Sequence, residues 1–123
     1  MSITLATHIR WEDQPRERLG PLLERRYVTL QNMTLAQFFL AKGCVVPTHD
    51  HESEQFANVV RGCLRFRLGA DGKEVVDVGA GEVLLIPSRL PHSAEALEDT
   101  VIFDSFSPIR EDWVAKRDDY LRR

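Results

Sequence analysis

The segment HDHESEQ contains two histidines separated by one residue, His49 and His51, in a chain with four histidines in total. Side chains alternate between the faces of a strand, so both imidazoles point the same way in an extended segment. Gln55 shares their parity and can join them if the chain returns to the same face. Imidazole is a common ligand of zinc, iron, nickel and copper, so the segment could form half of a metal site. Two exposed loop histidines are the alternative interpretation.

A third imidazole follows the apolar segment GEVLLIPSRLPH, which ends at His92. Pro87 bounds the apolar run, and a strand of this kind can present its terminal histidine to the same point as the first two. The alternative is a surface histidine that follows Pro91. The two segments together raise the hypothesis of a site with three imidazoles.

The later segment VIFDSFSPIR carries three more side chains that could do chemistry. Asp104 and Phe106 share a face of the predicted strand, and Arg110 follows beyond Pro108. A buried carboxylate is costly unless it is paired or used, so a carboxylate within this apolar run is notable. The alternatives are a strand end for Asp104, a core position for Phe106, and a surface ion pair of Arg110 with Glu111 or Asp112.

Short apolar runs separated by glycine and proline must position these residues, and they predict an all-β sandwich or barrel. The tetrad GADG, residues 69–72, predicts a tight hairpin between two of the strands. The predicted strands are residues 27–30, 35–41, 55–62, 63–68, 74–78, 82–87, 92–96 and 100–106.

The two ends of the chain are less regular. Spacings of one and two turns predict a C-terminal helix with one apolar side, formed by Trp113, Val114, Tyr120 and Leu121. The first 24 residues are charged and give no clear pattern. Within the next few residues, Arg25 and Arg26 are expected to be solvated surface charges.

The composition bounds the class of protein. A chain of 123 residues is one domain, 1–123, and 43% hydrophobic with 28% charged residues is ordinary for a globular protein. The net charge of −3 gives no reason to expect nucleic acid or an anionic membrane as partner. The N-terminus lacks the pattern of a secretory signal, so a cytoplasmic location is expected. Cys44 and Cys63 are expected to be small, half-buried thiols without a functional role.

The two histidine segments resemble the motifs of the cupin family. The first cupin motif, G(X)5HXH(X)3–4E(X)6G, is similar to GCVVPTHDHESEQFANVVRG, with Gln55 at the glutamate position. The second is similar to GEVLLIPSRLPHSAEA, with Arg89 and Ala96 where the family has glycine and asparagine. The resemblance covers residues 25–108 and implies a double-stranded β-helix, or jelly-roll barrel, with a metal inside. Arg89 is expected to alter the local turn because glycine is conformationally permissive.

The resemblance implies that His49, His51, Gln55 and His92 hold a divalent transition metal, such as nickel, zinc, iron or manganese. By strand parity, Glu54 and Asp50 are expected to point away from this site.

The segment DSFSPIR also resembles the tail of the uronate-linearising, KdgF-like cupins of pectin and alginate breakdown. These carry the HxHxxxQ run, a later histidine and a D-x-F-S-P-x-R tail, often with another histidine where this chain has Ser53. The resemblance implies ring opening of 4,5-unsaturated monouronates to linear 5-keto uronates. It makes Asp104 the candidate proton shuttle, Arg110 the group that holds a carboxylate or a hydroxyl, and Phe106 the packing surface for the sugar.

Two other functions are consistent with the same residues. A non-catalytic module that binds a sugar acid or a metal would keep the three histidines without needing Asp104. A cupin dioxygenase that uses iron and O₂ would also use them, although Gln55 fits such a site less well. Small cupins are often homodimers, and a homodimer is expected here.

Overall fold

The computed structural model of the protein describes residues 5–122, and these residues form a β-structure with very little helix. The strands are β1 (Glu17–Gly20), β2 (Leu23–Thr29), β3 (Thr34–Leu40), β4 (Val45–His49), β5 (Glu54–Arg61), β6 (Cys63–Leu68), β7 (Glu74–Gly79), β8 (Val83–Ile86), β9 (His92–Ala96) and β10 (Thr100–Ser107). Each predicted strand overlaps one of these, and the bounds of β6 and β9 agree at both ends. β1 and β4 are not among the predicted segments.

The strands form two antiparallel sheets that enclose the core. One sheet has the order β1-β2-β3-β10-β5-β8 and the other has the order β4-β9-β6-β7. Neighbouring strands that are distant in sequence, such as β3 and β10, require the crossing connections of a jelly roll. The predicted all-β jelly-roll barrel is confirmed. The predicted hairpin is also observed, because residues 69–72 connect β6 to its neighbour β7.

Alternation of buried and exposed residues along the strands builds the interior. In β10, Ile102, Asp104 and Phe106 are buried, while the residues between them are only partly buried. This strand lies in the middle of the six-stranded sheet, between β3 and β5. The inward side of β10 therefore places one carboxylate among the apolar side chains of the core.

The first strands begin earlier than the sequence indicated. The expectation that Arg25 is a solvated surface charge is wrong. Its side chain is 1% exposed rather than solvated, and Nη2 lies 3.0 Å from Oδ2 of Asp118, which is also 1% exposed. The same nitrogen lies 2.9 Å from Oε1 of Glu17. Arg26 is partly buried and donates from Nε to Oε1 of Gln37 at 2.7 Å. Both arginines are held by side chains that lie far along the chain or on the next strand.

The C-terminal helix is short. Helix α1 covers Glu111–Val114, and a separate 3₁₀ turn covers Asp119–Leu121. Trp113 and Leu121 are buried, but Val114 is 54% exposed, so the expected single apolar side is only partly correct. Lys116 lies between helix α1 and the 3₁₀ turn, and its φ of 59° ends the regular helix. No helix within residues 5–122 is long and apolar enough to span a membrane.

Candidate metal centre

Three histidines meet where the ends of two paired strands lie side by side. His49 ends β4 and is the register partner of His92, which begins β9. The centroids of these two rings are 4.4 Å apart. The ring centroid of His51, two residues beyond β4, lies 5.6 Å from that of His49 and 5.1 Å from that of His92. One ring nitrogen from each residue lies within 4.8 Å of the others, a spacing that could hold a metal ion.

Backbone carbonyls orient all three rings. Each Nδ1 lies 2.8 Å from a carbonyl oxygen two residues away, and the acceptors belong to Pro47, Ser53 and Leu90. A carbonyl can only accept, so each Nδ1 carries the proton and each Nε2 keeps its lone pair. Nε2 of His92 is buried and has no hydrogen-bond partner among residues 5–122. A buried acceptor in this state fits a metal ligand, because an unpaired polar atom is otherwise costly.

Burial keeps the histidines neutral. It lowers the pKa of His49 to about 3 and that of His51 to about 4; the neighbouring histidines and Arg110 lower both further, and hydrogen bonds to the backbone oppose the shift. Burial also lowers the pKa of His92. At neutral pH the three imidazoles are therefore unprotonated at Nε2, which is the form that binds metal.

Gln55 joins the histidines to Asp104. Its side chain is buried on the inward side of β5, and Nε2 donates to Oδ1 of Asp104 at 3.0 Å. The amide oxygen then lies 3.1 Å from Nε2 of His51. Two acceptors face each other at this contact, because His51 carries its proton on Nδ1. A cation close to both atoms would satisfy them, so the donor set of three imidazoles and one amide oxygen fits a divalent transition metal.

Asp104 is a buried carboxyl group beside this cluster. It is 6% exposed, and burial raises its pKa to about 7 against the opposing effects of the Gln55 hydrogen bond and the Arg110 charge. The carboxyl group lines the same cavity as His49 and His92. It can therefore hold or release a proton inside the barrel near neutral pH.

The sequence left two interpretations of Arg110, a residue of the site or an ion-pair partner of a nearby acidic residue, and the structure shows features of both. It pairs with Asp112 through two hydrogen bonds of 3.0 Å and 2.7 Å, yet it is 3% exposed and lies at the cavity rather than on the surface. Its guanidinium carbon lies 4.8 Å from the ring centroid of Phe106 and 4.5 Å from that of Trp113. Phe106 itself is buried in the core and also lines the cavity.

The cavity brings together most of the residues expected to form the site. Its walls include His49, Gln55, His92, Asp104, Phe106 and Arg110. They also include Trp113 and Tyr120, which the sequence placed on a C-terminal helix without a role in the site. The only sequence signal for these two is an aromatic pair within a highly charged tail.

The loop residues around the histidines also have defined contacts. Ser53 is 2% exposed and donates from its hydroxyl to the carbonyl of Pro108 at 2.6 Å, which ties the histidine loop to the segment before Arg110. Arg89 has a φ of 66°, a left-handed conformation of the kind that glycine favours. Asp50 is exposed and lies 3.2 Å from Nη1 of Arg89. Glu54 is exposed, as strand parity indicated.

Comparisons with known proteins place this geometry among related folds. The cupin domain family matches residues 37–104 of the chain. The structure of KdgF from Halomonas sp. superposes with a TM-score of 0.80 at 25% identity, covering 89% of this chain and 99% of that one. An RmlC-like cupin from Shewanella frigidimarina superposes with a TM-score of 0.78 at 25% identity, covering 88% and 96%.

A more distant likeness concerns the fold alone. A variant of oxalate decarboxylase from Bacillus subtilis superposes with a TM-score of 0.76 at 23% identity, covering 93% of this chain and 35% of that one. Among curated proteins, none matches the chain.

Proposed function

The chain belongs to the cupin domain family, and we propose that it is a metal-dependent enzyme that converts 4,5-unsaturated monouronates to linear 5-keto uronates. The proposal rests on one arrangement, in which Asp104 and Arg110 share a cavity with His49 and His92 of the histidine cluster. The similarity to a structure named KdgF supports the same assignment. The chain is proposed to act as a single domain, on uronates released from pectin or alginate.

The metal ligands in this proposal are His49, His51, His92 and Gln55. A bound divalent ion would supply Lewis-acid polarisation of a coordinated substrate oxygen. The amide of Gln55 is neutral, so it would not reduce the net positive charge at the bound ion. Nickel, zinc, iron and manganese all accept such a donor set.

Arg110 and Phe106 bind and orient the sugar acid in this proposal. A guanidinium presents planar N–H donors that match a carboxylate, and the guanidinium carbon lies 4.8 Å from the ring centroid of Phe106. The ring of Phe106 also forms an apolar wall that keeps bulk water from the reacting carbons. Orientation by these two residues would hold the C4=C5 bond near the carboxyl group of Asp104.

Asp104 is the proposed proton carrier. Protonation of C4 and addition of water at C5 convert the enol ether to a hemiketal, and the hemiketal then opens to the 5-ketone. The carboxyl group of Asp104 gives the proton to C4 and recovers one from the added water, so no net proton is consumed. The hydrogen bond from Gln55 holds the carboxyl group toward the cavity during this exchange.

Product identification tests the proposal. Purified protein loaded with nickel or zinc is mixed with unsaturated galacturonate monomer, and the products are followed by proton NMR. The proposal predicts loss of the C4 vinyl proton and formation of the linear keto acid faster than in a sample with buffer alone. Equal rates in the two samples would contradict it.

A further inference from the structure

Tyr120 lies at the proposed site although it belongs to the C-terminal tail. It sits in the 3₁₀ turn Asp119–Leu121, and its ring centroid lies 4.6 Å from that of His49 at an interplanar angle of 32°. Its hydroxyl oxygen accepts a hydrogen bond from Nη2 of Arg110. One side chain therefore contacts both the histidine cluster and the cavity guanidinium.

The contacts of Arg110 explain what this hydroxyl does. The guanidinium carbon of Arg110 lies 4.8 Å from the ring centroid of Phe106 and 4.5 Å from that of Trp113, so aromatic rings pack against this end of the side chain. Nε and Nη2 are held by hydrogen bonds to Asp112, and Nη2 is also held by Tyr120. Nη1 makes no hydrogen bond within residues 5–122. The two N–H groups of Nη1 are thus the donors that remain for an acid ligand.

The tail that carries Tyr120 is anchored in the core. Asp118, two residues earlier, forms its buried ion pair with Arg25 of β2, and Leu121, the next residue, is 4% exposed. A buried ion pair loses much of its value if either partner moves, so it favours one position of the tail. Tyr120 is therefore held from both sides rather than lying loosely over the cavity.

We propose that Tyr120 is a positioning residue for Arg110, which fixes the guanidinium so that Nη1 faces the carboxylate of a bound sugar acid. This inference rests on the proposed function for the identity of the acid. Its hydroxyl acts through Arg110 and does not need to touch the ligand. Without the hydroxyl, Asp112 is the only side chain in the described part of the chain that holds the guanidinium by hydrogen bonds, and acid binding weakens.

Binding of a saturated acid tests the inference without requiring turnover. Galacturonate is titrated into the metal-loaded wild type and Tyr120→Phe by calorimetry, and metal content and melting temperature are measured for both. We expect Tyr120→Phe to raise the Kd about threefold to tenfold, which is about the effect of one ordinary hydrogen bond, because the hydroxyl acts on the acid only through Arg110. Metal content should change less than twofold.

Two further variants separate positioning from general loosening of the tail. Tyr27→Phe removes the hydroxyl of a different tyrosine, whose ring packs on Trp113, and should leave the Kd unchanged. In an Arg110→Lys background, Tyr120→Phe should have no further effect, because the group it positions is gone. An unchanged Kd in Tyr120→Phe, an equal loss in the lysine background, or no galacturonate binding to the wild type would overturn the inference. Binding without turnover would instead contradict only the proposed function.

Discussion

Gln55 and Asp104 are joined by a hydrogen bond of 3.0 Å from the amide nitrogen to the carboxylate oxygen Oδ1. This bond fixes which way the amide faces, because the nitrogen must point to Asp104 and the oxygen to the histidines. One side chain thus connects the candidate metal centre to the proposed proton carrier. A carboxylate at position 55 could bind a metal but could not donate to Asp104, which gives the glutamine a specific role.

The first prediction concerns Gln55→Glu. The new carboxylate should retain metal, but it removes the N–H donor and places a second anionic group beside Asp104. We expect metal content near one ion per chain and a fall in turnover of unsaturated galacturonate of at least about tenfold. Metal analysis and absorbance kinetics on the same preparation measure both. Wild-type turnover in a metal-loaded variant would show that the hydrogen bond is not needed.

The second prediction concerns Asp104→Asn. The amide has nearly the same shape as the carboxyl group but cannot transfer a proton. We expect kcat to fall by about 100-fold or more, which is the usual effect of removing a general acid or base. Asp50→Asn, an exposed position beside the same histidines, is the matched control and should keep its activity. Near-normal kcat in a metal-loaded Asp104→Asn variant would remove Asp104 from the mechanism.

The third prediction concerns metal and stability. A metal that binds only the folded chain should raise its melting temperature in a concentration-dependent way. His92→Ala removes the nitrogen that is buried without a partner, so it should abolish most of this shift. Thermal unfolding with and without added nickel or zinc measures the effect. A shift of the same size in His92→Ala would place the metal elsewhere.

The fourth prediction concerns the buried pair of Arg25 and Asp118. Burial acts to raise the pKa of Asp118, but its hydrogen bonds and the charges of Arg25 and Arg122 outweigh burial, so the pKa is lowered. A lowered pKa in the folded state contributes stability above the unfolded value of about 4, and this contribution is lost as the pH falls through the folded value. Asp118→Asn should therefore cost about 3 kcal/mol at pH 7 and flatten the acid limb of the stability profile.

Urea unfolding of wild type and variant between pH 3 and pH 7 measures this difference. Asp77→Asn is the control, because Asp77 pairs with Arg65 through a 2.8 Å contact between side chains that are 44% and 37% exposed. Exposed pairs contribute little, so its effect should be much smaller. Equal losses in the two variants would mean that burial of the Arg25 pair has no special effect.

Local patterns made much of this protein predictable from its sequence. The bounds of β6 and β9 follow from apolar runs ended by turn residues, and strand parity is enough to direct Asp104 inward. These signals depend on residues that are neighbours in the chain. Parity also separated Gln55 from Glu54, which is exposed.

Contacts between distant parts of the chain could not be predicted in the same way. Arg25 was expected to be solvated because nothing near it in sequence reveals Asp118, which lies at the other end of the chain. The same ion pair holds the tail that brings Tyr120 to His49. Residues whose role depends on tertiary pairing carry no periodic signal, so their positions emerge only from the structure.

The histidine cluster and its cavity are proposed to catalyse ring opening of an unsaturated uronate. The most direct measurement is the ultraviolet absorbance of 4,5-unsaturated galacturonate mixed with metal-loaded protein, beside a His49→Ala control. The conjugated enol ether absorbs and the linear keto acid does not, and the monomer also loses its absorbance slowly on its own. Catalysed ring opening predicts a loss of absorbance with the wild type that clearly exceeds the loss with His49→Ala. Equal losses, in wild-type protein that holds one metal ion per chain, would contradict it.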